Sequence, residues 1–123
     1  MEDIKIFFAE DDDYAECSSI ENGSRNDIVV QVNGKLYHPS VYSLFTLTQE
    51  FNEAMQGSGI YDIDNNIVLV ENLNKENVVE TLVYLARTNY FQRVKEVTLD
   101  SEFCESFILF PHLKTLEGWV RVY

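Results

Sequence analysis

The sequence has 123 residues, 46% of them hydrophobic, and its 21 acidic and nine basic residues give a net charge of −12. This length suits one domain with a core of its own, and the normal hydrophobic content argues against global disorder. The charge disfavours binding to nucleic-acid backbones and anionic membranes and favours a basic partner, although it also serves solubility alone.

The first 27 residues combine one short strand with the most acidic part of the chain. Ile4 to Phe8 are β-branched or aromatic at most positions and predict the strand. Residues 10–27 lack strand alternation and have few apolar positions, so we predict an acidic loop containing at most one helical turn. Residues 1–27 hold nine acids against Lys5 and Arg25, a net of −7, which leaves −5 for the other 96 residues.

The middle of the chain predicts a β-hairpin followed by an amphipathic helix. Asn33-Gly34 separates two strand-like runs, 28–32 and 35–37, and this pair favours a two-residue turn because both positions tolerate positive φ. Pro39 suits the first turn of a helix, and Gly57-Ser58-Gly59 ends it. Between them one face is predicted from steps of three and four residues: Val41, Leu44, Phe45, Thr48, Phe51 and Met55.

The second half reads as alternating strands and helices. Residues 60–63 and 67–70 predict either two strands around a tight turn or one strand at 67–70 after an irregular approach. Further strands are predicted at 94–99 and 119–123, and helices from Asn74 as N-cap to Tyr90 and from Ser101 to Leu109, before Pro111. From residue 67 this order favours parallel pairing, whereas the hairpin supplies an antiparallel pair. We therefore predict one α/β domain over residues 1–123: a mixed, partly parallel sheet with an N-terminal hairpin and helices packed on it.

No motif predicts catalysis, a cofactor or a metal site. Asp11 to Asp13 lack the glycine and the closing glutamate of an EF-hand loop. The run Asp62-x-Asp64-x-Asn66 begins like such a loop, but it places Ile67 at the glycine position and Leu73 at the closing glutamate. The cysteines and histidines fit neither zinc spacing nor a recognisable nucleophile motif, and they are Cys17, Cys104, His38 and His112.

The acidic segment is the feature that stands out as a candidate binding surface. Its carboxylates are suited to mimic phosphates in the basic groove of a nuclease, and an exposed tyrosine beside them would be an apt anchor. The predicted partner-binding residues are Asp11, Asp12, Asp13, Tyr14, Glu16 and Glu21, extended by Asp62 and Asp64 and then by Glu71. The competing interpretation is a solvated loop with no partner.

The compact stretch from Ile28 to about Phe91 resembles small acidic bacterial immunity proteins, including those paired with toxins of contact-dependent growth inhibition. The likeness lies in the strand–Asn33-Gly34–strand hairpin that runs into Pro39 and a helix ending Gln49-Glu50-Phe51-Asn52-Glu53-Ala54-Met55, together with size and acidity. It implies cytoplasmic residence and tight binding to one toxin domain, commonly a nuclease, by blocking its active site or an adjacent surface. It assigns no individual residue.

Other functions remain open from the sequence. A DNA mimic that occupies a DNA-binding protein would spread its acids along an elongated surface. A cryptic enzyme would bring His38, His112, Cys17 or Cys104 together in a pocket. A structural subunit would expose an apolar patch around Trp119 and Phe110.

Overall fold

In the computed structural model, residues 3–61, 67–94, 96 and 119–123 are described, and strands and helices alternate along them. The elements are β1 Ile4–Phe8, α1 Asp13–Asn22, β2 Ser24–Arg25, β3 Ile28–Val32, β4 Lys35–Tyr37, β5 Ser40–Ser43, α2 Leu44–Gln56, β6 Ile67–Val70, α3 Lys75–Arg87, a 3₁₀ turn Tyr90–Arg93, and β7 Val120–Arg121.

The described strands form two sheets. The first has the order β4-β3-β1-β7 and is antiparallel throughout, with Ile6 opposite Val30 and Phe8 opposite Val120. The second has the order β2-β5-β6, in which β2 runs antiparallel to β5 and β6 runs parallel to it. The predicted α/β class with antiparallel and parallel pairing in a single domain is confirmed.

The parallel pair among the described strands involves β5 and β6, and α2 is the crossover between them. The C-terminal strand β7 instead pairs antiparallel with β1 at the other end of the chain. The antiparallel contact between β7 and β1 is not predicted by the order of elements, whereas the parallel pairing predicted for the strand at 94–99 stays a prediction, because that strand lies outside the described residues.

One core joins both sheets to α3. Ile6 and Phe8 project into it from β1, and Val41 does so from β5. Val78 and Leu82, one helical turn apart on α3, complete the contact from the helix side. All five side chains are fully buried, so each contributes about 1.5–3 kcal/mol of hydrophobic stabilisation relative to exposure.

The predicted hairpin is confirmed. Asn33 and Gly34 have φ of 51° and 86°, the positive values that a two-residue type I′ turn requires. The pairing of β3 with β4 places Val32 opposite Lys35 directly beside that turn.

The segment predicted as a loop, residues 10–27, contains the ten-residue helix α1 and the short strand β2, so that prediction is wrong. Asp12 caps the helix, its Oδ1 accepting from the amide of Ala15 at 2.7 Å, and Gly23 closes it in the left-handed conformation. None of the residues of α1 is buried, which is why the sequence shows no apolar periodicity there.

The helix predicted to start at Pro39 begins later, at Leu44. Residues Ser40–Ser43 form β5 instead, because they pair on both sides, with β2 and β6. Ser43 then caps α2, its Oγ accepting from the amide of Thr46 at 3.3 Å. The predicted end of the helix at Gly57 is confirmed.

Several predictions in the second half are settled only in part. The strand at 67–70 and the Asn74 cap are confirmed, the latter with Oδ1 accepting from the amide of Asn77 at 2.7 Å. Ile60 and Tyr61 lie outside any strand, and α3 ends at Arg87 rather than at Tyr90. The strand at 94–99, apart from Val94 and Glu96 (which are not in a strand), and the helix at 101–109 lie outside the described residues.

Candidate binding surface

Helix α1 carries the acidic residues that the sequence analysis singled out. Asp13, Glu16 and Glu21 lie on it, and the helix contains no basic residue. Asp13 and Glu16 stand in its first turn, where negative charge is stabilised by the helix dipole. Tyr14 is 80% exposed beside them. The structure therefore brings these predicted residues together on an ordered helix rather than a loop.

Asp11 and Asp12 serve the fold itself. Asp11 Oδ2 accepts from Lys75 Nζ at 2.8 Å, which ties the start of α1 to the start of α3. Asp12 is the N-cap already described. By contrast, none of the ion pairs in the described residues involves Asp13, Glu16 or Glu21. These three carboxylates therefore remain available to a cation from outside.

A groove of about 510 Å³ lies between α1 and the N-terminal half of α3. Glu16 of α1 and Glu76 and Glu80 of α3 line it, together with Asn74, Lys75, Val79 and Val122. Two apolar side chains thus share the groove with three carboxylates, and its cation Lys75 already contacts Asp11. This composition suits the aliphatic stem and charged head of a lysine or arginine.

Glu76 and Glu80 were not among the predicted binding residues. They stand one turn apart on α3, so their shared face is readable from the sequence. The sequence does not reveal that they lie close to α1, because this proximity depends on the contact between Lys75 and Asp11, which are 64 residues apart.

Buried contacts hold α1 in place at its C-terminal side. Arg25 is 4% exposed, and its Nε donates to Asp27 Oδ1 at 2.7 Å while an Nη donates to the carbonyl of Glu10 at 2.8 Å. The same guanidinium lies 3.9 Å from the centroid of the Phe8 ring. Since Glu10 precedes α1 and Asp27 follows it, Arg25 joins the two ends of the segment. A surface fixed in this way loses less entropy on binding.

The remaining predicted binding residues are not brought to this surface by anything described. Asp62 and Asp64 lie outside the described residues. Glu71 is exposed just after β6.

Two of the four histidines and cysteines considered for a catalytic centre, His38 and Cys17, lie in the described residues. Cys17 is exposed on α1, whereas Cys104 and His112 lie outside the described residues. His38 Nε2 contacts the carbonyl of Asn26, and burial lowers the pKa of His38, with the Asn26 contact and the charge of Asp27 opposing that shift. Within the described ranges no group of three His, Cys, Asp or Glu side chains is placed to hold a metal.

Two further findings bear on the other functions considered. Trp119 is buried, so it does not form the exposed patch that a structural subunit would need, and Phe110 lies outside the described residues. None of the helices described is long and apolar enough to cross a bilayer.

Comparison of the chain with protein-family models, with curated proteins and with solved structures finds no match.

Proposed function

We propose that this protein is a cytoplasmic immunity protein that binds and neutralises a cognate toxin domain, a nuclease, by occluding its basic active-site surface. The observation that carries the proposal is the acidic surface of α1 and the groove beside it. Its carboxylates, which take part in no ion pair of the described residues, are Asp13, Glu16, Glu21, Glu76 and Glu80. Such a role requires recognition and no chemistry.

The electrostatic argument is one of complementarity. A nuclease holds its substrate with lysine and arginine side chains, because these neutralise phosphate charge. A protein of net charge −12 with clustered carboxylates presents to that groove a negative potential similar to that of the nucleic-acid phosphates. Complementary potentials accelerate encounter by about 10- to 1000-fold and disfavour partners of the wrong charge.

Tyr14 supplies the apolar contact that charge alone lacks. Its ring is not needed by the core, and it stands on the same first turn as Asp13 and Glu16. Exposed tyrosines with a polar tip and a broad apolar ring are enriched among residues that dominate binding energy. A ring inserted beside the basic groove would be desolvated while the surrounding carboxylates pair with cations.

The test begins with affinity capture from a nuclease-treated native lysate at rising salt. The purified basic protein is then assayed for cleavage of DNA and RNA with and without an equimolar amount of this chain. We expect a one-to-one complex and loss of cleavage. A stable complex whose nuclease activity is unchanged would contradict occlusion, and a partner that binds DNA without cleaving it would indicate a DNA mimic instead.

A further inference from the structure

Helix α2 presents an apolar face that the described chain does not cover. No residue of this helix is buried. Phe45 is 72% exposed and Leu44 59%, and Phe51 and Met55 are exposed as well. Leu44, Phe51 and Met55 follow one another at steps of seven and four residues, so they lie along one side of the helix, and Phe45, about 100° further around the axis, borders that side.

Two contacts fix the far end of this face. The rings of Phe51 and Tyr61 meet edge to face with centroids 6.0 Å apart, and the Tyr61 hydroxyl donates to Glu50 Oε2 at 2.9 Å. Ile60, which precedes Tyr61, is itself strongly exposed. The chain after the helix therefore folds back beside α2 and adds another apolar side chain to the exposed surface.

The orientation of α2 is set from its other side. Thr46 packs against Gly23, and Ser43 caps the helix at the end of β5. Thr46 is two residues from Leu44, a rotation of about 200° around the helix axis. The anchored side and the apolar face are therefore opposed, and the face points away from the part of the protein that holds the helix.

Charge distinguishes between two partners that could cover this face, a second copy of the chain and a basic protein. From residue 36 to residue 74 the sequence has no lysine or arginine, and it has five acids: Glu50, Glu53, Asp62, Asp64 and Glu71. A second copy of this chain would bring another −12 against the first. Like charges placed across an interface disfavour association, whereas a basic protein is attracted.

We infer that the apolar face of α2 is the central contact with a basic protein partner. It receives apolar side chains of that partner, and the excess of acidic over basic residues between residues 36 and 74 attracts the partner's lysines and arginines. This inference rests on the proposed function in taking the partner to be the toxin domain. Interfaces of this kind have an apolar centre and a polar rim, and a few central residues supply most of the affinity.

The test uses the intact chain and a labelled synthetic helical peptide of leucine and lysine, with leucine on one face. Two control peptides replace all leucines by serine or all lysines by glutamate. Fluorescence anisotropy measures their dissociation constants. We expect binding of the leucine–lysine peptide and much weaker binding of both controls, because the site demands apolar contact and positive charge together.

Variants locate the binding. Phe45→Ala should raise the dissociation constant of the leucine–lysine peptide about tenfold or more. It should not lower the urea midpoint of unfolding, because the Phe45 side chain is exposed. Tyr84→Ala on α3 is the matched control, since Tyr84 is also an exposed aromatic residue on a helix, and it should leave binding unchanged. Equal binding by the two variants, absence of peptide binding, or a dimer in sedimentation that Phe45→Ala dissociates would each overturn the inference.

The same variants separate this inference from the proposed function. Against the purified toxin, Phe45→Ala should weaken affinity to a similar extent at low and high salt. If Phe45→Ala and the unaltered chain neutralise the toxin equally, the inference about the α2 surface is overturned and the proposed immunity function is retained. If the unaltered chain neutralises no toxin, the proposed function is overturned, and the peptide assay still tests whether the α2 face binds a basic apolar partner.

Discussion

Gly23 and Thr46 are in contact so close that a Cβ atom added to Gly23 would lie 1.7 Å from Thr46 Oγ1 and 2.8 Å from Thr46 Cβ. Rotation of the hydroxyl cannot relieve the second approach. Gly23 also has φ of +73°, where side chains are strained. This glycine thus ends α1 and at the same time seats it against the first turn of α2.

Gly23→Ala should therefore lower the free energy of unfolding by about 3 kcal/mol, the sum of left-handed strain and overpacking. Gly34→Ala is the matched control, because Gly34 has φ of +86° with nothing within 4 Å of an added Cβ, and it should lose only about 1 kcal/mol. Urea unfolding measures both. Equal losses would mean that Thr46 moves aside freely.

The sequence predicts the elements whose signal is local. The Asn33-Gly34 turn, the Asn74 cap and the end of α2 at Gly57 follow from backbone preferences of two to four neighbouring residues, and the structure confirms them. Helix α1 was missed because its stabilisation comes from Asp12 and Gly23 at its ends rather than from a buried face. An analysis of hydrophobic periodicity does not detect a helix that is stabilised mainly by its capping residues.

The candidate surface was predictable only in part for a related reason. Asp13, Tyr14 and Glu16 are neighbours in sequence and remain neighbours on α1. Glu76 and Glu80 join them through contacts between elements that are far apart in the chain, and no local pattern encodes such contacts. The exposure of α2 was equally hidden, because an apolar stripe at helical spacing normally predicts a core face.

His38 gives the fold a dependence on pH. Burial lowers its pKa below the ordinary 6.5, so the unfolded chain binds a proton at pH values where the folded chain does not. Stability is therefore full above about pH 6.5 and is lost as pH falls towards the folded pKa. Urea unfolding between about pH 7.5 and about pH 5.5, where carboxylates stay largely ionised, should show a steeper loss for the unaltered chain than for His38→Gln. Parallel pH profiles would contradict this assignment.

The groove between α1 and α3 should control how fast the proposed toxin partner is captured. The double variant Glu16→Gln/Glu80→Gln removes two of its three carboxylates, so stopped-flow association with the toxin should slow by about three- to tenfold at low salt. The difference should shrink above about 0.15 M salt, where charges separated by more than about 8 Å are screened.

The matched control for that variant is Asp3→Asn/Glu96→Gln, which makes the same change in net charge at a different place. Asp3 precedes β1 and its amide donates to Asn33 of the hairpin turn, and Glu96 lines a cavity beside the same turn, at the end of β1 away from α1. If net charge alone steers the toxin, both double variants should slow association equally. If the groove is the contact, the control should slow it little, and the groove variant should in addition raise the dissociation rate, because only there are ion pairs desolvated in the complex.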